Sequence, residues 1–170
     1  GSMSNIVQRN YLEIKSIDGL LEVSKPNLNL NILLIDKPDH QLNKFFYKEI
    51  GKKHHWIDRL SWSEKQWVDY LNNQYVKTYI LKENDNLIGY FEQIFYEAEK
   101  DSEIAYFGVL EEYIGKRYGG YLLSEAIKIS FEKGSKRVWV HTCSLDHKHA
   151  LQNYKARGMK VFKSENLNIS

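Results

Sequence analysis

The strongest constraint on the fold is an apolar strand that leads through a glycine-bearing loop directly into a helix, between Phe107 and Leu123. Glycines in such a loop let the backbone approach a ligand closely, and Lys116 and Arg117 add positive charge there. The first turn of the helix offers free N–H groups and the positive end of the helix dipole, which together favour a pyrophosphate. Without further support, glycines that only permit a tight turn explain the same segment equally well.

Strand signals on both sides of this segment predict one sheet. Runs rich in β-branched and aromatic residues, bounded by turn residues, are typical of strands. The predicted strands are Tyr11–Ile17, Val76–Lys82, Leu87–Tyr96, Glu103–Leu110, Arg137–Cys143 and Lys160–Lys163. The residues Asn84–Asn86 are expected to join the second and third of them as a hairpin turn. The segment Lys25–Asp39 encloses the apolar run Ile32–Ile35 but is assigned no element.

Apolar residues at helical spacing, together with recognisable caps, predict four helices. Asp39 caps the first helix, which Gly51 is expected to end, and Ser63 with Gln66 forms a capping box for the second. The third and fourth helices are predicted at Tyr118–Lys133 and His147–Arg157. The order β-α-α-β-β-β-α-β-α-β predicts an α/β fold of the α+β type, with helices on the faces of a sheet. A ligand is expected at the carboxyl end of the strand that enters the β-α-β crossover.

Composition argues against several classes of protein. The net charge of +2, with acids and bases interspersed, disfavours a dedicated nucleic-acid-binding domain, although aromatics interleaved with Lys and Arg around Lys52–Trp67 keep that class as an alternative. No apolar run approaches the ~20 residues that span a bilayer, so we expect no membrane association and a cytoplasmic protein. Gly1 and Ser2 before Met3 resemble the remnant of a cleaved tag, so one domain is expected over residues 3–170.

Cysteine and histidine usage predicts neither a disulfide nor a metal site. The single cysteine, Cys143, ends an apolar strand and is expected to pack in the core rather than act as a nucleophile. The adjacent His54 and His55 diverge on regular structure, and His147 and His149 have poor helical spacing for joint ligation.

The glycine loop resembles the acetyl-CoA signature of the GNAT superfamily, Gln/Arg-x-x-Gly-x-Gly/Ala, laid over Ile114–Gly119. The segment Ala150–Met159 is similar to the closing pattern of that family, Ala-x-x-x-Tyr-x-x-x-Gly-Phe. Further pieces resemble an uncharacterised bacterial subgroup, namely Trp56–Leu60, Gly89–Glu92, Tyr106–Gly108 and Val140–His147. The likeness runs from about Leu42 to the C-terminus. The departures from the pattern are Ile114, Arg117 in place of the first motif glycine, and Met159 in place of phenylalanine.

The resemblance implies the GNAT fold, a mixed and mostly antiparallel sheet of six to seven strands flanked by about four helices. It also implies an N-acetyltransferase that passes the acetyl group of acetyl-CoA directly to an amine of a small molecule or protein, as a monomer or homodimer and without a metal. The departures at Ile114 and Arg117 keep open a second class, a catalytically weak acyl-CoA-binding module with a sensing or recruiting role.

The same resemblance implies where the cofactor binds. The main chain of Phe107–Val109 is expected to pair with the pantetheine arm, with a bulge at Gly108 that frees an N–H group. Backbone N–H groups between Gly115 and Gly120 are expected to hold the pyrophosphate. The expected cofactor-binding residues are Phe107, Gly108, Val109, Gly115, Lys116, Arg117, Tyr118, Gly119, Gly120, His147 and Tyr154.

Three residues are the catalytic candidates. Tyr154 matches the tyrosine that protonates the departing thiolate in the family, and the alternative is a core tyrosine beside Ala150 and Leu151. Glu103 lies four residues before Phe107, so strand alternation predicts that both face the same side, where Glu103 would be the base. The alternative, given equal weight, is that Glu103 is only an exposed carboxylate at the start of the strand. Glu92 competes as a base because it interrupts an apolar strand.

The acceptor is expected to bind near a basic aromatic loop. Trp56, Asp58 and Arg59 are interpreted as a lid over the acceptor, and the alternative is a helix–helix connection fixed by the aromatic ring and an Asp–Arg pair. His141 completes the expected acceptor-binding residues and is a further candidate base, with a packed strand histidine as its alternative.

Overall fold

The computed structural model describes residues 6–168, which form seven strands and four helices. The strands are β1 (Ile6–Ile14), β2 (Leu30–Leu34), β3 (Val76–Glu83), β4 (Asn86–Tyr96), β5 (Asp101–Val109), β6 (Val138–Cys143) and β7 (Lys160–Asn168). The helices are α1 (His40–His54), α2 (Glu64–Leu71), α3 (Tyr118–Glu132) and α4 (Ala150–Ala156), with 3₁₀ turns at Ile17–Gly19 and Glu111–Tyr113. Gly1 and Ser2, interpreted as a tag remnant, lie outside the described residues, as do both ends of the expected domain 3–170.

The seven strands form one sheet in the order β2-β3-β4-β5-β6-β1-β7. All neighbours are antiparallel except β5 and β6, which α3 connects as a parallel pair. The prediction of a mixed, mostly antiparallel sheet with helices is therefore confirmed. The parallel pair is short, because its register contains only Ser102 opposite Val138 and Glu103 opposite Trp139. Beyond these two positions β5 and β6 separate, and the sheet opens.

Helix α1 confirms one expected signal and corrects another. The Asp39 side chain accepts hydrogen bonds from the backbone N–H groups of Gln41 and Leu42, as its position predicts. Gly51 does not end the helix, which continues to His54 and stops at His55 in the left-handed conformation. A Cβ at Gly51 would lie 3.0 Å from Cβ of Trp56, so this glycine makes room for the tryptophan that folds back on the helix.

Several elements differ in extent from their predicted bounds. The segment without an assigned element contains β2, which pairs with β3 at one edge of the sheet. Strand β7 runs to Asn168 instead of Lys163, because it pairs with β1 along nearly its whole length. Helix α4 begins at Ala150 rather than His147, since the backbone N–H of His149 donates to the His147 ring instead of starting a helix.

The two faces of the sheet carry separate apolar clusters. The larger cluster lies under α3 and includes Leu122, Ala126 and Phe91, all fully buried. The smaller one lies under α1 and joins Phe46 and Ile50 to strand residues such as Tyr90. These two layers fix the helices on either side of the opening between β5 and β6.

Candidate active site

A cavity of about 380 Å³ lies at the carboxyl end of β5, where β5 and β6 separate. Its lining contains most of the residues predicted to bind the cofactor: Phe107, Gly108, Val109, Gly115, Arg117, Gly119, Gly120, His147 and Tyr154. Two predicted residues point elsewhere. The Tyr118 hydroxyl donates a hydrogen bond to Glu83, and the Lys116 ammonium lies 5.7 Å from the ring centroid of Tyr113. The sequence motif therefore lies beside one cavity, although not all of its side chains face it.

The N-terminus of α3 forms one wall of this cavity. Arg117 precedes the helix with φ 69°, and its side chain makes no capping hydrogen bond. The first turn contains no acidic residue, so the N–H groups there keep the positive end of the dipole uncompensated. A Cβ at Gly119 would meet nothing nearer than Asn153 Nδ2 at 3.8 Å. These features fit a bound anion such as a pyrophosphate.

Arg117 adopts a backbone conformation that favours glycine, which stands at this position in the family motif. We expect Arg117→Gly to raise the free energy of unfolding by about 1 kcal/mol, because the left-handed conformation costs a side-chain-bearing residue about that much. Urea unfolding measures the effect. Lys116→Gly removes the same charge at a residue without a positive φ and is expected to give no gain. Equal stability changes in both variants would contradict the assignment of strain to Arg117.

Tyr154 closes the opposite wall of the cavity. Its side chain is buried, and its ring centroid lies 6.3 Å from that of Phe107 on β5. Burial, followed by the negative charge of Asp146, raises the pKa of Tyr154 well above its ordinary value, so the hydroxyl stays protonated at neutral pH. The Tyr154 side chain thus lines the cavity where a general acid would stand, although the raised pKa makes it a weaker acid than an ordinary tyrosine.

A β-bulge in β5 changes which side chains share a face. Glu92 pairs with Tyr106 and Gln93 with Ile104, so Ala105 is the extra residue. The bulge is therefore at Ala105 and not at Gly108, where we predicted it. Because one extra residue inverts the alternation, Glu103 lies on the α1 side of the sheet, whereas Phe107 lies on the α3 side. The prediction that Glu103 and Phe107 share a face is wrong for this reason.

Glu103 is a buried carboxylate with two partners on the α1 side. It accepts a hydrogen bond of 2.7 Å from the Tyr96 hydroxyl, and its other oxygen lies 3.6 Å from Nε2 of His141. Burial raises the pKa of Glu103, against the opposing effects of the Tyr96 hydrogen bond and the Arg59 charge. Burial and the positive charge of Arg9 lower the pKa of His141. The structure thus brings together two of the predicted residues, Glu103 and His141, and excludes the exposed-carboxylate alternative.

Glu92 and Arg59 form a buried ion pair. Glu92 is 0% exposed, and its carboxylate lies 3.0 Å from the guanidinium of Arg59. It also accepts hydrogen bonds from Asn43 at 2.9 Å and from the Tyr70 hydroxyl at 2.7 Å. Such a carboxylate has its lone pairs occupied, which suits a fixed charge better than a group that exchanges protons.

Arg59 is an anchor of the loop between α1 and α2. Its guanidinium carbon lies 4.1 to 5.9 Å from the centroids of the rings of Tyr106, Tyr70, Trp62, Trp67 and Tyr47. Its ionic partner is Glu92 rather than Asp58, so the expected Asp–Arg pair is wrong. Asp58 is exposed, and Trp56 packs its ring 4.9 Å from that of Tyr106. Arg59 therefore fixes the middle of this loop, while Asp58 beside it stays exposed.

The sequence reasoning missed His54 and Asp146. His54 lines the cavity, and its Nδ1 is hydrogen-bonded to the Asp146 carboxylate. In the sequence, His54 stands out only as the neighbour of His55. No local signal places it at the cavity, because the predicted helix ends at Gly51, whereas α1 continues to His54. Among residues 6–168, no group of three or more His, Cys, Asp or Glu side chains is arranged to hold a metal ion.

Comparison with known proteins identifies the family. The sequence model of the acetyltransferase (GNAT) family matches residues 38–159, more than half of the chain, so the protein belongs to the GNAT acetyltransferase family. The family is one of acyltransferases. No curated protein sequence matches it. In the part of the chain that the structure describes, no helix has both the length and the apolar character needed to cross a bilayer.

Solved structures share the fold at low sequence identity. A functionally unknown conserved protein from Staphylococcus epidermidis has a TM-score of 0.63 at 15% identity, and the match covers 95% of this chain and 60% of that one. A GCN5-related N-acetyltransferase from Kribbella flavida has a TM-score of 0.67 at 12% identity, and the match covers 98% of this chain and 61% of that one. An aminoglycoside acetyltransferase from an uncultured soil metagenomic sample, in complex with trehalose, has a TM-score of 0.64 at 16% identity. That match covers 78% of this chain and 90% of the other. The chain thus spans about three fifths of the first two proteins.

Proposed function

We propose that the protein transfers an acetyl group from acetyl-CoA directly to an amine of a small molecule or protein. The observation that carries this proposal is one cavity with an uncapped helix N-terminus on one wall and a protonated tyrosine, Tyr154, on the other. The first feature fits the pyrophosphate of the cofactor, and the second fits a leaving thiolate that needs a proton.

Different residues of the chain are proposed to bind different parts of the cofactor. The N–H groups at the start of α3, with Arg117 beside them, would bind the pyrophosphate. The main chain of Phe107–Val109 borders the opening of the sheet and is free on that side to pair with the pantetheine arm, and His147 lines the same cavity. The bound cofactor supplies an acetyl group activated as a thioester.

Glu103 is the proposed first acceptor of a proton from the incoming amine. An amine arrives mostly as an ammonium ion, and a buried carboxylate with a raised pKa attracts it and takes its proton more readily than an ordinary glutamate. His141 stands next to Glu103 on the exposed side and is proposed to contact the acceptor, as are Trp56 and Asp58. Glu92 and Arg59 are proposed to stiffen this wall without taking part in proton transfer.

Release of free thiol from acetyl-CoA tests the proposal. Each member of a panel of primary amines, including aminoglycosides, polyamines and peptide N-termini, is added to protein and acetyl-CoA. The proposal predicts amine-dependent thiol release for at least one class. The aminoglycosides are included because one structural neighbour is an aminoglycoside acetyltransferase. Tight cofactor binding with no thiol release for any amine would favour the acyl-CoA-binding module instead.

Tyr154→Phe is expected to lower kcat about 100-fold, since it removes only the proton that the leaving sulfur needs. Phenylalanine retains the ring that packs near Phe107, so the affinity for acetyl-CoA is expected to change less than about twofold. Steady-state kinetics with an amine active in the panel, together with calorimetry, measure the two quantities. Unchanged turnover would remove Tyr154 from the catalytic residues.

Glu103→Gln is expected to lower kcat/KM about 100-fold and to shift the acidic limb of the pH–rate profile. In the wild type, protonation of Glu103 as the pH falls through its raised pKa contributes to that limb. A raised carboxyl pKa also means that folding is favoured by the protonated form. The wild type therefore loses stability relative to the variant as the pH rises above the ordinary value of 4.5.

Glu99→Gln is the matched control, because Glu99 is an exposed carboxylate in the turn just before β5. We expect its activity, its pH–rate profile and its stability to follow the wild type. A Glu103→Gln profile identical to that of the wild type would mean that Glu103 does not contribute to the acidic limb.

A further inference from the structure

His54 ends α1 with its side chain in the cavity, 13% exposed, and is held there by Asp146. The Asp146 carboxylate is fixed by two more donors. One of its oxygens accepts from the Thr142 hydroxyl at 2.5 Å, and the other accepts from the backbone N–H of His147 at 2.8 Å. Three donors from α1, β6 and the segment after β6 therefore set the orientation of one carboxylate.

This contact determines where the proton sits on the His54 ring. A carboxylate only accepts hydrogen bonds, so Nδ1 must carry the proton, and a neutral ring then has a lone pair on Nε2. Among residues 6–168, no hydrogen bond engages Nε2. It lies 3.5 Å from the place that a Cβ on Gly108 would take, which puts it directly over β5.

The strand beneath His54 is the one that Tyr154 approaches from the other side. The Phe107 side chain lies on the α3 side of the sheet, next to Tyr154, and Gly108 faces α1 and His54. Both residues line the cavity at the point where β5 and β6 have separated. A proton acceptor and a proton donor thus stand on opposite faces of the same opening.

The groups around the His54 ring come from three sides. The His147 ring lies 5.5 Å from it, and burial lowers the pKa of His147. The Trp56 ring lies 5.0 Å away on another side. The nearest cation on α1, Lys53, is paired with Glu111 at 3.2 Å. Asp146 is therefore the only charged side chain in the described structure that is hydrogen-bonded to His54.

We propose that His54 is a catalytic residue that takes the proton released by the acceptor nitrogen during acetyl transfer, with Asp146 as its positioning residue. This role rests on the proposed function. As the nitrogen–carbon bond forms and the carbon–sulfur bond breaks, one proton passes from nitrogen to Nε2 of His54. Another passes from the Tyr154 hydroxyl to sulfur, and solvent later returns the proton from His54 to Tyr154.

His54 and Glu103 are then assigned to accept different protons of the acceptor nitrogen. Glu103 lies five residues before Gly108 on β5, about 15 Å along a strand, so it meets the ammonium ion before it reaches the opening. An amine that enters as an ammonium ion loses one proton before it attacks and one afterwards. The geometry assigns the first proton to Glu103 and the second to His54.

Bromoacetyl-CoA tests this placement without an acceptor amine. A nucleophile at the acyl end of the cavity attacks its bromomethylene carbon and is alkylated there, with bromide as the leaving group. We expect the mapped adduct on Nε2 of His54 in the wild-type protein. Asp146→Asn is expected to slow labelling about tenfold, because an amide also donates hydrogen bonds and no longer holds the proton on Nδ1.

His54→Asn and His55→Asn are the matched pair of variants. His55 is the adjacent exposed residue with a positive φ, a conformation that asparagine tolerates. Labelling is expected to be lost in the first variant and unchanged in the second. Thermal unfolding and CoA titration by calorimetry confirm that each variant is folded and binds the cofactor.

The outcomes separate the two proposals. CoA binding with an adduct on Cys143, Glu103 or His147, or with no adduct, overturns the role of His54 and leaves the proposed function intact. Failure of the folded wild-type protein to bind CoA overturns the proposed function and the role of His54 with it. An adduct on His54 that forms at the same rate in Asp146→Asn overturns the positioning role of Asp146.

Discussion

Replacing Arg59 with methionine is expected to lower the free energy of unfolding by about 3–5 kcal/mol, the typical cost of leaving a buried charge without its partner. Glu92 is fully buried, and without Arg59 only the neutral donors of Asn43 and Tyr70 would face its carboxylate. The aromatic rings around the guanidinium would also lose their cation. Urea unfolding monitored by tryptophan fluorescence measures the change.

Two controls decide whether the buried charge is the cause. The double variant Arg59→Met with Glu92→Gln removes both charges but keeps an acceptor for Asn43 and Tyr70, so it is expected to recover at least about half of the loss. Lys65→Met breaks the exposed pair with Asp69 and is expected to leave the free energy of unfolding nearly unchanged. If Arg59→Met costs no more than Lys65→Met, the ion pair does not anchor the loop between α1 and α2.

Gly119→Asp is expected to weaken acetyl-CoA binding at least about 100-fold, because like charges in contact cost several kcal/mol. Gly119 lines the cavity at the start of α3, and the protein leaves room there for a side chain. A carboxylate in the first turn of a helix is favourable to the helix itself, so stability is not expected to fall. Calorimetric titration and thermal unfolding separate the two effects.

Gly119→Asn is the matched variant, since it has nearly the same shape without the charge. It is expected to weaken binding far less than Gly119→Asp. Equal losses in the two variants would mean that the side chain blocks the site by its size, and that the N-terminus of α3 does not hold the phosphates.

Local signals in the sequence predicted much of the fold. The cap at Asp39, the capping box of Ser63 with Gln66, and the hairpin between β3 and β4 depend on residues close in the chain. The glycine loop, the crossover after it and the closing helix with Tyr154 were placed correctly for the same reason. These segments also contain most of the residues that line the cavity.

Contacts between distant residues were not predictable from the same signals. The bulge at Ala105 has no distinctive residue, yet it alone moves Glu103 to the other face of β5. Arg59 reaches Glu92 across 33 positions, although Asp58 is its neighbour in the chain. His54 and Asp146 are 92 positions apart and meet only because α1 packs over the open end of β5. Such pairings arise from packing, which single-sequence patterns do not encode.

The central claim is that the cavity beside α3 binds acetyl-CoA. Calorimetric titration of the wild-type protein with acetyl-CoA, with dephospho-CoA and free ADP as comparisons, tests it most directly. We predict saturable binding at one site for acetyl-CoA, retained by dephospho-CoA, which keeps the pyrophosphate and the pantetheine arm, and much weaker for ADP, which lacks that arm. A folded protein that shows no heat of binding at millimolar acetyl-CoA would contradict the account.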